Sequence, residues 1–153
     1  MVRRHKLAIL AAAAIAAGPA MAQDCGGAGL SMTKLNIENR IVSNYTCVGT
    51  LPHAQWNELL TPSSSSVVDS GTVTDYKLGL TDPIDPTKQV GTYSISSITT
   101  AQNVIVGILT YTYGAQSYSY QIERSFHPLP FSTLFCPQGS GYSGPVSVQP
   151  THC

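Results

Sequence analysis

Large apolar or aromatic residues alternate with small polar ones across Leu109-Thr110-Tyr111-Thr112-Tyr113, and again across Tyr118-Ser119-Tyr120-Gln121-Ile122. A period of two marks a strand with one buried face. The two runs flank Gly114-Ala115-Gln116, so 103–113 and 117–123 are predicted to form an antiparallel hairpin. Its inward face would carry Leu109, Tyr111, Tyr113, Tyr118, Tyr120 and Ile122.

Further strands are predicted at Arg40–Val48, Ser66–Asp69, Val73–Leu78, Gln89–Ile95, Phe131–Cys136 and Val146–Gln149, most of them bounded by Gly, Pro, Asn, Asp or Ser. Ser31–Glu38 reads as a short helix, and Pro62-Ser63-Ser64-Ser65-Ser66 as a surface loop. The stretch Pro52–Leu60 supports two readings: helical turns opened by Thr50 and Pro52, or a strand carrying Trp56. With connections this short, each strand pairs most simply with the next. The expected fold is all-β: a small antiparallel β-barrel or curved meander sheet with at most one short helix. An immunoglobulin-like β-sandwich is the alternative, since Trp56 lies between Cys47 and Cys136, although that cysteine separation is long for such a fold.

The N-terminus changes the setting. Basic residues Arg3, Arg4 and Lys6 precede an apolar run from Leu7 to Ala17, followed by the small-residue site Ala20-Met21-Ala22. This is the layout of a signal peptide over residues 1–22, cleaved before Gln23, leaving residues 23–153 as one domain. The run is shorter than the roughly 20 residues of a membrane-spanning helix, so no membrane span is expected. Cys25 follows Asp24 rather than a cleavage-site residue, which argues against a lipid anchor. Removing the leader leaves five basic residues against eight acidic ones, a net charge of −3 with no basic cluster. Nucleic acid and anionic membranes, both held through clustered cations, are therefore poor partners.

Four cysteines, Cys25, Cys47, Cys136 and Cys153, lie after the leader, and an even number in an exported chain predicts disulfides. Of three pairings, Cys47–Cys136 with Cys25–Cys153 is favoured, because the second pair lies at the two ends of the domain and termini are often close. Zinc would require closely spaced pairs, which are lacking. Periplasmic or secreted localisation, as a monomer without cofactor or metal, follows as the expectation.

Candidate chemistry is sparse. His53, Trp56, Asn57 and Glu58 form the densest polar and aromatic cluster, yet on a strand His53 and Glu58 point to opposite faces because their separation is odd. A Trp plug with a polar rim explains them as well as a general base does. Asp75, Asp82 and Asp85 fail the calcium-loop spacing and suit Asp-Pro turns better. His127 and His152 are isolated, and no G-x-S-x-G elbow occurs. The tyrosines Tyr111, Tyr113, Tyr118 and Tyr120 could line a barrel around a small ligand, or pack as core with wet hydroxyls.

Asp75-Tyr76-Lys77-Leu78-Gly79, Asp82-Pro83-Ile84-Asp85-Pro86, Val90-Gly91-Thr92-Tyr93-Ser94, Tyr111-Thr112-Tyr113-Gly114, Tyr118-Ser119-Tyr120 and Phe135-Cys136 together resemble a group of small secreted bacterial proteins of unknown function. The likeness spans roughly residues 41–140. It implies a bacterial, exported, β-rich domain in which Cys47 and Cys136 correspond to a recurring pair, and it implies no activity.

Three function classes follow. The first is an exported binding module for a small molecule or a protein, with His53, Trp56, Glu58 and the hairpin tyrosines as ligand-binding candidates. The second is a hydrolase centred on His53 and Glu58. The third is a cell-envelope assembly protein that uses a sheet edge.

Overall fold

A computed structural model describes residue 25 and residues 30–50, 53–75, 88–125 and 132–151 of the 153-residue chain; of residues 49, 50 and 53–56 only the backbone is described. The segment read as a signal peptide lies outside the described residues. So do Asp82, Asp85, His127, His152 and Cys153.

The elements run β1 (Leu30–Ser31), α1 (Lys34–Ile41), β2 (Tyr45–Thr50), β3 (His53–Ser64), β4 (Val67–Asp75), β5 (Lys88–Thr99), β6 (Ile105–Tyr113), β7 (Gln116–Ser125), β8 (Ser132–Pro137) and β9 (Gly144–Gln149). Strands β2 to β8 each pair antiparallel with the next, β8 pairs with β9, and β9 returns to β2. The sheet therefore closes into an eight-stranded up-and-down barrel, with β1 as one extra strand on β7. Closure answers the unpaired-edge problem of an open sheet and rules out the sandwich alternative.

The predicted hairpin forms as β6 and β7, with Leu109 opposite Tyr120 and Tyr111 opposite Tyr118. Leu109, Tyr111, Tyr120 and Ile122 are buried in the barrel, and Tyr113 and Tyr118 are half-buried at its end. Pro52–Leu60 resolves toward a strand: β3 begins at His53 and continues through Pro62 to Ser64. The serine-rich loop thus shrinks to the turn at Ser65 and Ser66. Pro62 is accommodated because the β3–β4 register shifts between Pro62 and Ser64, and bulges are where strands tolerate proline.

The helix lies three residues later than the hydrophobic pattern suggests. Thr33 caps it, its hydroxyl accepting from the Asn36 amide at 3.3 Å, and Ile37 and Ile41 one turn apart are both fully buried. Arg40 and Ile41, read from sequence as the start of a strand, belong to this helix instead. Burying each isoleucine contributes roughly 1.5–3 kcal/mol relative to exposure. Ser43, at φ 62°, then turns the chain, and its amide donates to the Leu60 carbonyl at 2.8 Å, tying the helix end to β3.

The helix closes the end of the barrel where β6 begins and β7 finishes. There the two strands part: their pairing ends at Ile108 and Gln121, and Leu30 and Ser31 pair with Arg124 and Glu123 instead. Met32 bridges the gap, donating to the Ile122 carbonyl and accepting from the Gly107 amide, both at 2.8 Å. Position 107 has no room for a side chain, because a Cβ there would lie 2.6 Å from Ile37 Cδ1 and 2.8 Å from the Lys34 nitrogen. Glycine therefore sets how closely the helix seats. Lys34 adds an ion pair to Asp69 at 2.5 Å on the outer side.

The disulfide arrangement corrects the favoured pairing. Cys25 is bonded to Cys136, with Cα atoms 5.4 Å apart. Cys25 lies a few residues before β1, and β1 lies on β7, the neighbour of the β8 strand that carries Cys136. The entry point of the chain, rather than the meeting of its termini, decides the bond. Cys47 is also disulfide-bonded, with a partner outside the described residues. Disulfides fit an oxidising compartment. Among the described residues no helix is long and apolar enough to cross a membrane.

Candidate functional site

The barrel's other end, where β6 turns into β7, is built from aromatic residues. Tyr111 and Tyr113 follow each other along the inner face of β6 with nearly parallel rings, 6.0 Å between centroids. From β7, Tyr118 leans on Tyr113 at 6.2 Å, and Tyr120 meets Tyr111 edge-on at 5.9 Å. Phe135 of β8 packs on Tyr120 at 5.3 Å. These separations are those at which ring quadrupoles attract, and they hold the rings in fixed orientations.

Tyr142 joins them from the loop between β8 and β9. Its amide donates to the Tyr120 hydroxyl at 3.3 Å, and its own hydroxyl donates to the Pro145 carbonyl at 2.9 Å. The neighbouring Gly141 has φ +142°, and a Cβ there would sit 2.7 Å from the Tyr120 oxygen. Only glycine allows the loop to fold this closely over Tyr120. Between these rings and Thr46, Val48 and Val146 lies a cavity of about 270 Å³.

Among the described residues one acid lines this cavity. Glu58 of β3 projects among the tyrosines, and the Tyr113 hydroxyl donates a short hydrogen bond to its Oε1. Among the described residues, Oε2 has no hydrogen-bond partner. Removal from water pushes the Glu58 carboxyl up to about 7; the Tyr113 hydrogen bond opposes this, and the charge of Asp75, its register partner on β4, adds to it. Burial also raises the Tyr113 hydroxyl far above the usual phenol range, and the neighbouring Glu58 charge raises it further. Tyr113 is therefore a fixed donor, and Glu58 is the group that titrates near neutrality.

Tyr111 is raised for the same reason, first by burial and then by Glu58. Its hydroxyl is buried with no hydrogen-bond partner among the described residues. The Thr46 hydroxyl, which approaches it, donates instead to the Glu58 carbonyl at 3.2 Å. Leaving such a hydroxyl unpaired in the interior costs about 1–3 kcal/mol.

The four hairpin tyrosines and Glu58, singled out by sequence on separate grounds, thus come together at one site. His53 and Trp56 lie on β3 near Glu58, but only their backbone is described. Sequence reasoning missed Tyr142, Phe135, Thr46, Val48, Gly141 and Val146. A lone tyrosine amid Gly139, Gly141 and Gly144 was the available signal for the first. No group of three or more His, Cys, Asp or Glu side chains suited to a metal occurs among the described residues.

A second, wider cleft of about 620 Å³ lies beside the helix, lined by polar side chains including Asn36, Asn39, Arg40 and Arg124. Arg40 is already engaged there, its Nε donating to the Thr133 hydroxyl at 3.0 Å.

Fold and site together define a class: an up-and-down β-barrel closed at one end by a helix, with an aromatic cavity and a buried carboxyl toward the other. No protein family, curated protein or solved structure matches the chain. The reading of function therefore rests on the cavity's own chemistry.

Proposed function

We propose that this protein is an exported binding module of the bacterial periplasm or exterior that holds a small molecule, about the size of one substituted ring, inside its barrel. The observation that carries this reading is the 270 Å³ cavity walled by ordered tyrosines, with the buried Glu58 carboxyl lining the same space. Ligand sites combine apolar walls with a few convergent polar groups in this way. A closed barrel crosslinked by disulfides also keeps such a site pre-organised, which lowers the ordering cost of binding.

Ligand-observed NMR with a set of single-ring compounds tests the reading, comparing the natural chain with Val48→Phe, which adds a ring at the cavity wall. Saturable binding to the first and its loss in the second is the expected result. Failure of every compound to bind, or full retention by a folded Val48→Phe variant, overturns the proposal.

A hydrolase reading draws on one observation, the Glu58 carboxyl held up near 7, where a general acid or base works best. Its weakness is the nucleophile. Among the described residues the hydroxyls beside Glu58 are that of Thr46, which donates to the Glu58 carbonyl, and those of tyrosines raised above the phenol range. The assembly reading needs a long free strand edge, and barrel closure removes the edges it would use.

A further inference from the structure

We propose that the cavity selects a cationic ligand: a single-ring organic amine whose ammonium group sits against Glu58 among the faces of the tyrosine rings. The inference rests on the binding reading above and narrows it to a chemical class.

Four observations lead there. The Glu58 carboxylate lines the cavity with one oxygen taken by Tyr113 and the other without a hydrogen bond among the described residues. Among the described residues no Lys, Arg or His lines the cavity to balance it. Among the described residues, the groups that face Glu58 are Thr46 and Val48 from β2, Asp75 from β4, Tyr111 and Tyr113 from β6, Tyr118 and Tyr120 from β7, Phe135 from β8 and Tyr142 from the β8–β9 loop. Asp75 carries the same sign, and its register partner Lys88 on β5 is exposed and lies outside the cavity.

A buried carboxylate without a counter-ion is costly, and a second carboxylate beside it makes that worse. A ligand ammonium relieves both. Tyrosine faces carry the negative end of the ring quadrupole, so they favour the same cation and disfavour an anion. The volume suits one ring with a short amine arm. A neutral hydrogen-bond acceptor would instead need Glu58 protonated in order to receive a hydrogen bond from it. The two cases have opposite pH dependence.

Isothermal titration of the oxidised protein with 2-phenylethylamine, 2-phenylethanol and phenylacetate at pH 8 separates them. The amine is expected to bind at least about tenfold more tightly than the alcohol, a ratio equivalent to about 1.4 kcal/mol. Phenylacetate should bind weakest. Between pH 8 and pH 6 the amine's affinity should fall about tenfold as protons compete for Glu58, and binding near pH 6.5 should release protons, seen as a buffer-dependent heat. Glu58→Gln should abolish the amine's advantage and leave alcohol binding in place; the buffer experiment needs no variant and stands even if Glu58→Gln misfolds.

Equal binding of amine and alcohol, or amine binding without proton release, overturns the cation inference while leaving the binding module intact. Absence of binding by all three compounds overturns both.

Discussion

The two ends of this barrel solve the same problem in opposite ways. At one end Ile37 and Ile41, both fully buried, fill the interior with aliphatic volume, and Lys34, paired with Asp69 and Glu38, keeps its charge on the outside. At the other, bulky rings leave about 270 Å³ open and a carboxyl faces the gap. A chain selected for stability alone would have filled both ends. On the binding proposal, the helix end serves the fold and the tyrosine end serves the ligand.

The largest effect should come from breaking the helix end. Ile37→Ala removes fully buried aliphatic volume and should cost about 2–5 kcal/mol in urea unfolding, with the ligand affinity of the remaining folded protein unchanged. A variant that keeps its stability but loses ligand would place function at the wrong end.

Next is Glu58→Gln, with the opposite sign. Because the folded-state pKa lies above the unfolded one, the native state holds the proton more tightly between about 4.5 and 7. Stability therefore falls as pH rises through that window and is level above it. Removing the charge should raise stability by up to about 3 kcal/mol at pH 8 and have almost no effect at pH 4.5, read from thermal melts at the two values. A destabilised Glu58→Gln at pH 8 would mean that the carboxylate is paired.

Tyr111→Phe should also stabilise, by about 1 kcal/mol, since it deletes a buried hydroxyl without a partner and keeps the ring. Chemical denaturation checks this, and a clear loss of stability would show that the hydroxyl is satisfied. The smallest effect is expected of Tyr113→Phe. It removes the one hydrogen bond that opposes Glu58's upward shift, so the Glu58 titration followed by carbon NMR should move to higher pH; a downward move would reverse the assigned cause.

Much of this arrangement was legible from sequence, for a physical reason. The alternation in Leu109–Ile122 is a local, period-two signal that survives any tertiary context, and with it came the hairpin, the barrel class and the inward tyrosines. Less legible were features set by long-range contact. Burial of Ile37 and Ile41 on a helix capped by Thr33 outweighed the β-branched look of Ile41, and Pro62 stays inside a strand where its partner strand bulges. Glu58 was visible as a polar residue beside Trp56, but its meeting with Tyr113, 55 residues away, follows from how the barrel closes. Cys25 reaches Cys136 because β1 docks on β7, a placement that no cysteine spacing encodes.

The most direct test uses the tyrosines as reporters, since eight are distributed over the chain. With ring-labelled tyrosine and 2-phenylethylamine, the NMR signals of Tyr111, Tyr113, Tyr118, Tyr120 and Tyr142 should shift together and saturate at one ligand per chain. Tyr93, whose hydroxyl donates to the Val68 carbonyl near the start of β4, should not move. Shifts centred on Tyr93, or none at any ring, would contradict the account.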